Sequence, residues 1–291
     1  MPEKAVFQFV NIHQLPLQDR RLIYSLTSLR NKRVDSINHF EKEIRTLSEK
    51  LPRSFKYTLD YNILLSWNLK RQMVYLAFLP KAKTINVAKR YKLPLSSSIK
   101  RLLRLSQEYV NKKWKLVDKG FFLKNRNKVR VIKGATWFVH KDLIPYQKKF
   151  SSLTDEEYRT LAKIALYDKS SKNHYLTLHI LQFCPDKEFV VKTLSKTVAE
   201  PDYEISRISS MFLQNLCRFY PVKKGIILDL LFRNKLKWIN DALLIALRNS
   251  DKSILKELSK TRNYRRLKEL SEWKCFYISR YASLLLKKVS Q

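Results

Sequence analysis

Only three glycines and three cysteines occur in this 291-residue chain, and its acidic residues are outnumbered more than two to one by basic ones. So few glycines leave little provision for left-handed turns or for loops that cradle phosphate on bare backbone, which argues against a Rossmann fold or a P-loop and for a mostly helical chain. Nine prolines break those helices without filling them. Cys184, Cys217 and Cys275 are odd in number and far apart. They offer no disulfide framework and no zinc spacing, which fits a reducing compartment. No apolar run approaches the roughly 18 residues of a membrane span. The start, MPEKAVFQFVNIHQLPLQDRR, lacks the basic-then-apolar pattern of a secretory signal. The expectation is an intracellular protein, cytoplasmic or nucleoid-associated, without a membrane partner.

What is abundant is positive charge. Lys and Arg number 59 against 25 acids, a formal net charge of +34. An imbalance of that size points to a polyanionic partner, and nucleic acid is the first candidate. The charge is also unevenly placed, since residues 81–133 alone carry +15. That is nearly half the excess in 53 residues, a local footprint rather than a uniform coat.

The hydrophobic pattern places elements around this footprint. AVFQFVNI reads as a short strand, and apolar residues at helical spacing from Leu22 to Leu51, with Asp19 as N-cap and Pro52 as stop, read as a helix. Leu65 to Pro80 reads as another, with Leu69, Met73, Leu76 and Leu79 on one side. Thr84 caps a short helix carrying Ile85, Val87, Ala88 and Tyr91, and Pro94 ends it. After the serines at 96–98, Ile99, Leu102, Leu103, Ser106, Tyr109 and Val110 share one helical face, while Ser97, Arg101, Arg104 and Glu108 point the other way.

The run VAKRYKLPLSSSIKRLL resembles a helix-turn-helix, with Val87 and Ala88 in the first helix, Leu93 in the turn, and Ile99 and Leu102 in the second. Lys92 stands where a turn glycine is usual, and Ile99 falls one residue late. The segment C-terminal to this helix resembles a wing: strands at Phe121–Lys124 and Val129–Lys133, joined by a basic loop, Asn125 to Lys128. A winged helix-turn-helix implies that Ser97, Lys100, Arg101 and Arg104 face base edges, and that Lys112, Lys113, Lys124, Arg126, Lys128 and Arg130 meet phosphates. The Tyr and Phe residues, 15 of each, read mostly as helical core; Phe121 and Phe122, set beside basic residues, are where a stacking platform for single strands would lie, with core packing the default.

The C-terminal half has another character. Breaks at Pro185-Asp186-Lys187, Pro221-Val222-Lys223 and Ser250-Asp251-Lys252 recur about every thirty residues between apolar helical stretches, and the arrangement resembles a short HEAT-like array. Trp238 and Asp241 resemble the Trp and acid of helical DNA-alkylation glycosylases, although Asn240-Asp241 replaces the basic pair expected there. His174, His179 and Cys184 lack a fourth ligand for a metal. Glu156-Glu157 after SSLTD is the acidic first turn of a helix. No catalytic constellation and no cofactor site are legible.

The sequence therefore predicts a mostly α protein: an N-terminal helical extension (1–62), a winged-helix-like nucleic-acid-binding domain with a small β-hairpin (63–150) and a HEAT-like α-solenoid (151–291). The expected function is non-enzymatic binding of double-stranded DNA, with the repeats serving a protein partner or extending the DNA contact. A basic structural component of a ribonucleoprotein or virion, and a HEAT-like glycosylase, are the alternatives.

Overall fold

The structure, a computed structural model, describes residues 5–26, 33–34, 37–52, 54–66, 71–80, 89–200, 202–233 and 235–291. The chain is mostly helical, with a four-stranded and a two-stranded sheet among the described residues. Its contacts divide it into two compact units: Met1–Ile85 with Ile227–Leu247 and Ser253–Gln291, and Asn86–Ile226 with Arg248–Lys252. These limits cut across the expected ones, because the last helices belong with the N-terminal sheet.

In the first unit the expected strand is present as β1 (Ala5–Phe9). The expected helix from Leu22 to Leu51 is instead two helices, α1 (Leu17–Leu26) and α2 (Ile37–Lys50), separated by a two-residue strand β2 (Arg33–Val34) that pairs with β1. The helix expected between Leu65 and Pro80 is also corrected. That segment holds the end of β3 (Tyr57–Ser66) and all of β4 (Arg71–Pro80), an antiparallel pair in register from Tyr57↔Pro80 to Ser66↔Arg71. Leu69 lies outside the described residues. β4 also runs parallel to β1, so it is the inner strand of the order β2-β1-β4-β3. Tyr75 through Leu79 are all buried, as expected of a strand covered on both faces, and such a strand has no period of two to distinguish it from a helix. Phe9 and Phe78 stack at 5.8 Å, and Phe55 meets Phe78 edge-on at 6.0 Å, in a core shared with Ile23, Ile44 and Leu47.

The second unit is organised by α3 (Ser97–Asp118), the longest described helix. Ser96 caps it, its side chain accepting from the Ile99 N–H. Thr84 to Ala88, the start of the expected preceding helix, lie outside the described residues. Tyr91 is not helical: its N–H donates to the Tyr167 carbonyl and its own carbonyl accepts from Lys169, a single parallel bridge. Next come α4 (Phe121–Lys124), β5 (Val129–Ile132), β6 (Ala135–Phe138), α5 (Ile144–Ser151), α6 (Asp155–Tyr167), α7 (Ser171–Leu181), α8 (Lys187–Thr197) and α9 (Tyr203–Leu216). Starts obey cap chemistry: Thr154 and Glu157 form a capping box on α6, and Ser170, Asp186 and Asp202 cap α7, α8 and α9. The buried face of α3 packs on α5 and α7, with Tyr109 fully buried between Phe150 and Phe183.

The remaining helices are α10 (Lys224–Leu231), α11 (Leu236–Arg248), α12 (Ser253–Leu258), α13 (Thr261–Ser271) and α14 (Phe276–Val289); the expected breaks at 221–223 and 250–252 fall between helices, and the first covers Pro185 and Asp186 and ends on Lys187, the first residue of α8. The return of the last helices to the first unit rests on specific bonds. Buried Asp60 of β3 accepts from the Leu236 N–H at 2.8 Å and pairs with Lys235 at 2.9 Å, capping α11 from 176 residues away in sequence. Lys274 N–H donates to the Val10 carbonyl, and Trp273 Nε1 donates to Gln14 Oε1 at 2.7 Å. The link after α11 belongs to the second unit, where Asn249 exchanges two hydrogen bonds with the Val222 backbone. No helix among the described residues is long and apolar enough to cross a membrane.

Candidate nucleic-acid interface

The packing that buries one stripe of α3 fixes what its other side presents to solvent. Ile99, Leu102, Leu103, Ser106, Tyr109, Val110 and Lys113 are buried, and the Ser106 hydroxyl donates to the Leu176 carbonyl at 2.8 Å. Ser97, Lys100, Arg101 and Arg104 are therefore turned outward in the first turns, and all four are exposed. None of the three cations is ion-paired among the described residues. Their position opposes local stability: cations near a helix N-terminus face the positive end of its dipole, and Lys100/Arg104 and Arg101/Arg104 are like-charge pairs at helical spacing. Further along, Glu108 accepts from the Tyr146 hydroxyl, and exposed Lys112 lies over the same ring at 5.1 Å. The Tyr146 side chain beside it raises the Lys112 pKa.

Lys113 is a correction. It was expected on phosphate, yet it is 5 % exposed, its amine lying over the Trp114 and Phe138 rings at 5.0 and 5.8 Å. Burial, with a smaller contribution from Arg207, pushes its pKa down to about 8. The signal for this was in the sequence, because position 113 continues the stripe of 99, 102, 106 and 109/110.

The wing also differs from expectation. Phe121–Lys124 is the helix α4, not a strand, and Arg126–Lys128 form a 3-10 turn leading into β5. The hairpin is real but falls one element later. Its antiparallel strands β5 and β6 are joined at Lys133 and Gly134, both at positive φ (48° and 81°), as a two-residue hairpin turn requires. The turn does not project freely: a Cβ built on Gly134 would come within 2.2 Å of Leu216 Cδ2, so α9 packs directly on it. Side-chain amides bond the backbone of β6, Gln182 Oε1 accepting from Thr136 N–H and Gln147 exchanging two bonds with Phe138. Lys124, Arg126 and Arg130 are exposed and Lys128 is half-buried. This second basic group lies beyond the C-terminal end of α3, whereas the first occupies its N-terminal turns, and a 22-residue helix is roughly 33 Å long. Phe121 and Phe122 do not form an open platform, since their rings pack edge-on against His140 and Phe138.

Three further exposed cations were not expected from the sequence: Lys115 and Lys119, which extend the outward face of α3, and Lys133 at the hairpin turn. The outward position of Lys115 follows from the α3 stripe, whereas Lys133 was expected at the end of a strand and stands in the turn. Elsewhere, Trp238 is buried beneath the Arg233 guanidinium at 5.0 Å, and Asp241 pairs with Lys237 at 2.7 Å. His174 bonds the Asp168 carbonyl, and His179 is enclosed by Tyr109, Tyr175 and Phe212. Among the described residues no group of His, Cys, Asp or Glu is arranged to hold a metal ion. No protein-family model, curated protein or solved structure shows significant similarity to this chain.

Proposed function

We propose that this protein is a non-enzymatic nucleic-acid-binding protein that engages double-stranded DNA through the outward face of α3, as a winged-helix-like module does. The observation that carries the reading is the cluster Lys100, Arg101 and Arg104: exposed, without an ion-pair partner among the described residues, and placed where it costs the helix stability. The acceptor-rich base edges and the negative field of the duplex supply the missing counter-charge. In this reading Ser97, Arg101 and Arg104 reach base edges, while Lys112, Lys124, Arg126, Lys128 and Arg130 track the backbone, and the C-terminal helices hold a protein partner or extend the contact.

The test is a fluorescence-anisotropy titration of duplex DNA across a salt series. If about six phosphates are neutralised, log K falls against log salt with a slope near −5. Replacing Arg101 and Arg104 with Ala should weaken binding and relax sequence preference by about 1–3 kcal/mol per lost base contact, while raising helix stability by a few tenths of a kcal/mol. Replacing Arg126 and Lys128 should weaken all sequences alike and reduce the slope by about 2. A flat salt response removes nucleic acid as the partner. If both double variants weaken every sequence equally, α3 is not a reading helix.

A further inference from the structure

The first unit holds a cleft of about 570 Å³ between α13 and the end of the β3–β4 hairpin, within the roughly 300–1,000 Å³ typical of small-molecule sites. Its floor is apolar: Leu15, Phe78 and Leu79 are all buried. Two planar groups stand at its walls. Tyr57, half-buried, opens β3, and the Arg266 guanidinium covers the Trp273 ring at 5.4 Å.

The polar groups at the base are already satisfied. Asn11 exchanges two bonds with the Phe78 backbone, at 2.8 and 3.0 Å. Gln14 accepts from Trp273 Nε1 and donates to the Glu269 carbonyl, and the Glu269 carboxylate is held by Arg266 at 2.5 Å. The cleft is thus held open by its own bonds, and its floor requires nothing polar from a ligand. Such capacity sits on the rim. Arg265, Lys268 and Glu272 are exposed, and none is ion-paired among the described residues.

We propose that this cleft receives one unpaired nucleotide of a nucleic-acid strand. The apolar interior and the Tyr57 ring suit a base, since aromatic rings stack on bases of any sequence, while the Arg266 guanidinium, already fixed on Trp273 and Glu269, stiffens the wall. Arg265 and Lys268, one helical turn apart on α13, suit its phosphate, and Glu272 suits an exocyclic amino group, the contact a carboxylate makes with cytosine. Cations and a carboxylate on one rim distinguish the site from a general polyanion patch, which would gain nothing from a carboxylate. The inference rests on the nucleic-acid reading but places a second contact in a different unit, specific for single-stranded ends, and it is separable from the α3 contact by experiment.

The experiment compares a blunt duplex with the same duplex bearing a single-stranded tail of about five nucleotides, in the full chain. The wild type should bind the tailed form about tenfold more tightly, more so with a cytosine than a thymine tail. Arg265→Ala with Lys268→Ala, both on exposed side chains, should abolish that advantage and leave blunt-duplex affinity nearly unchanged. Tyr57→Leu, checked for folding by circular dichroism, should abolish it as well. Arg101→Ala with Arg104→Ala should weaken both duplexes and keep their ratio. An equal affinity for tailed and blunt forms in the wild type overturns the cleft proposal, whatever happens at α3. An advantage that survives in the Arg265/Lys268 variant, or in a folded Tyr57→Leu, overturns it too. Tailed binding that depends on the cleft, with no blunt-duplex binding at all, keeps the cleft and removes the α3 reading.

Discussion

Replacing Lys113 with Met should stabilise this protein, and the size of the effect is set by where the amine lies. Its stem runs inward on the core stripe of α3, the residue is 5 % exposed, and its amine faces two aromatic rings and the Arg207 guanidinium's field without an ion-paired carboxylate among the described residues. The pKa falls from the ordinary 10.5 to about 8. At 1.36 kcal/mol per decade this corresponds to about 3 kcal/mol that folding loses by keeping the amine charged at neutral pH. Proton counts give the sign. Between pH 8 and 10.5 the unfolded chain binds a proton that the folded chain has released, so stability rises with pH through that window, and the penalty is complete below it. Methionine keeps the length and apolar stem but carries no charge. Urea denaturation followed by circular dichroism should show Lys113→Met more stable than wild type by up to about 3 kcal/mol at pH 7. The gap should narrow as pH rises through 8 and close near 10.5. Since the amine is turned into the core, the salt slope for DNA should not change. A destabilised variant, or a gap independent of pH, would refute the argument, and a salt slope reduced by about 1 would show that the amine reaches phosphate.

Three other outcomes are expected. Gly120→Ala should cost about 1 kcal/mol, because φ is +67° with nothing within 4 Å of the new Cβ, whereas Gly134→Ala should cost roughly 1–3 kcal/mol more for its collision with Leu216; thermal melts of the two single variants measure the difference. Asp60→Ala should cost about 1–3 kcal/mol by uncapping α11 and leaving Lys235 unanswered, with Asn recovering part because its carbonyl can still accept from Leu236, as equilibrium denaturation would show. His179, buried with neither ring nitrogen hydrogen-bonded among the described residues, has its pKa pushed well below 6.5 by burial, aided by Lys113 and Arg207. The unfolded chain therefore takes up a proton that the folded one refuses below about pH 6.5, and stability should fall as pH drops from there. His179→Leu should flatten that fall, and an unchanged acid slope would refute the assignment.

Short-range regularity made several parts of this protein legible before any fold was known. The α3 stripe from Ile99 to Val110, the acidic first turn of α6, the first strand and the breaks at Pro185, Pro221 and Ser250 all depend on residues within about four positions of one another. So does the outward direction of Ser97, Arg101 and Arg104, which the stripe dictates. Other features needed the assembled fold. β4 shows no alternation because both faces of this inner strand are covered, Tyr75 through Leu79 all being buried, so Met73, Leu76 and Leu79 suggest a helix that does not form. Phe121–Lys124 is too short for any period to separate helix from strand. The close packing at Gly134 depends on α9, and the allocation of the last helices to the N-terminal sheet depends on Asp60 with Leu236 and on Gln14 with Trp273. Those partners lie 176 and 259 residues apart in the chain, and bonds over such distances leave no local pattern because they exist only once both elements have folded and met.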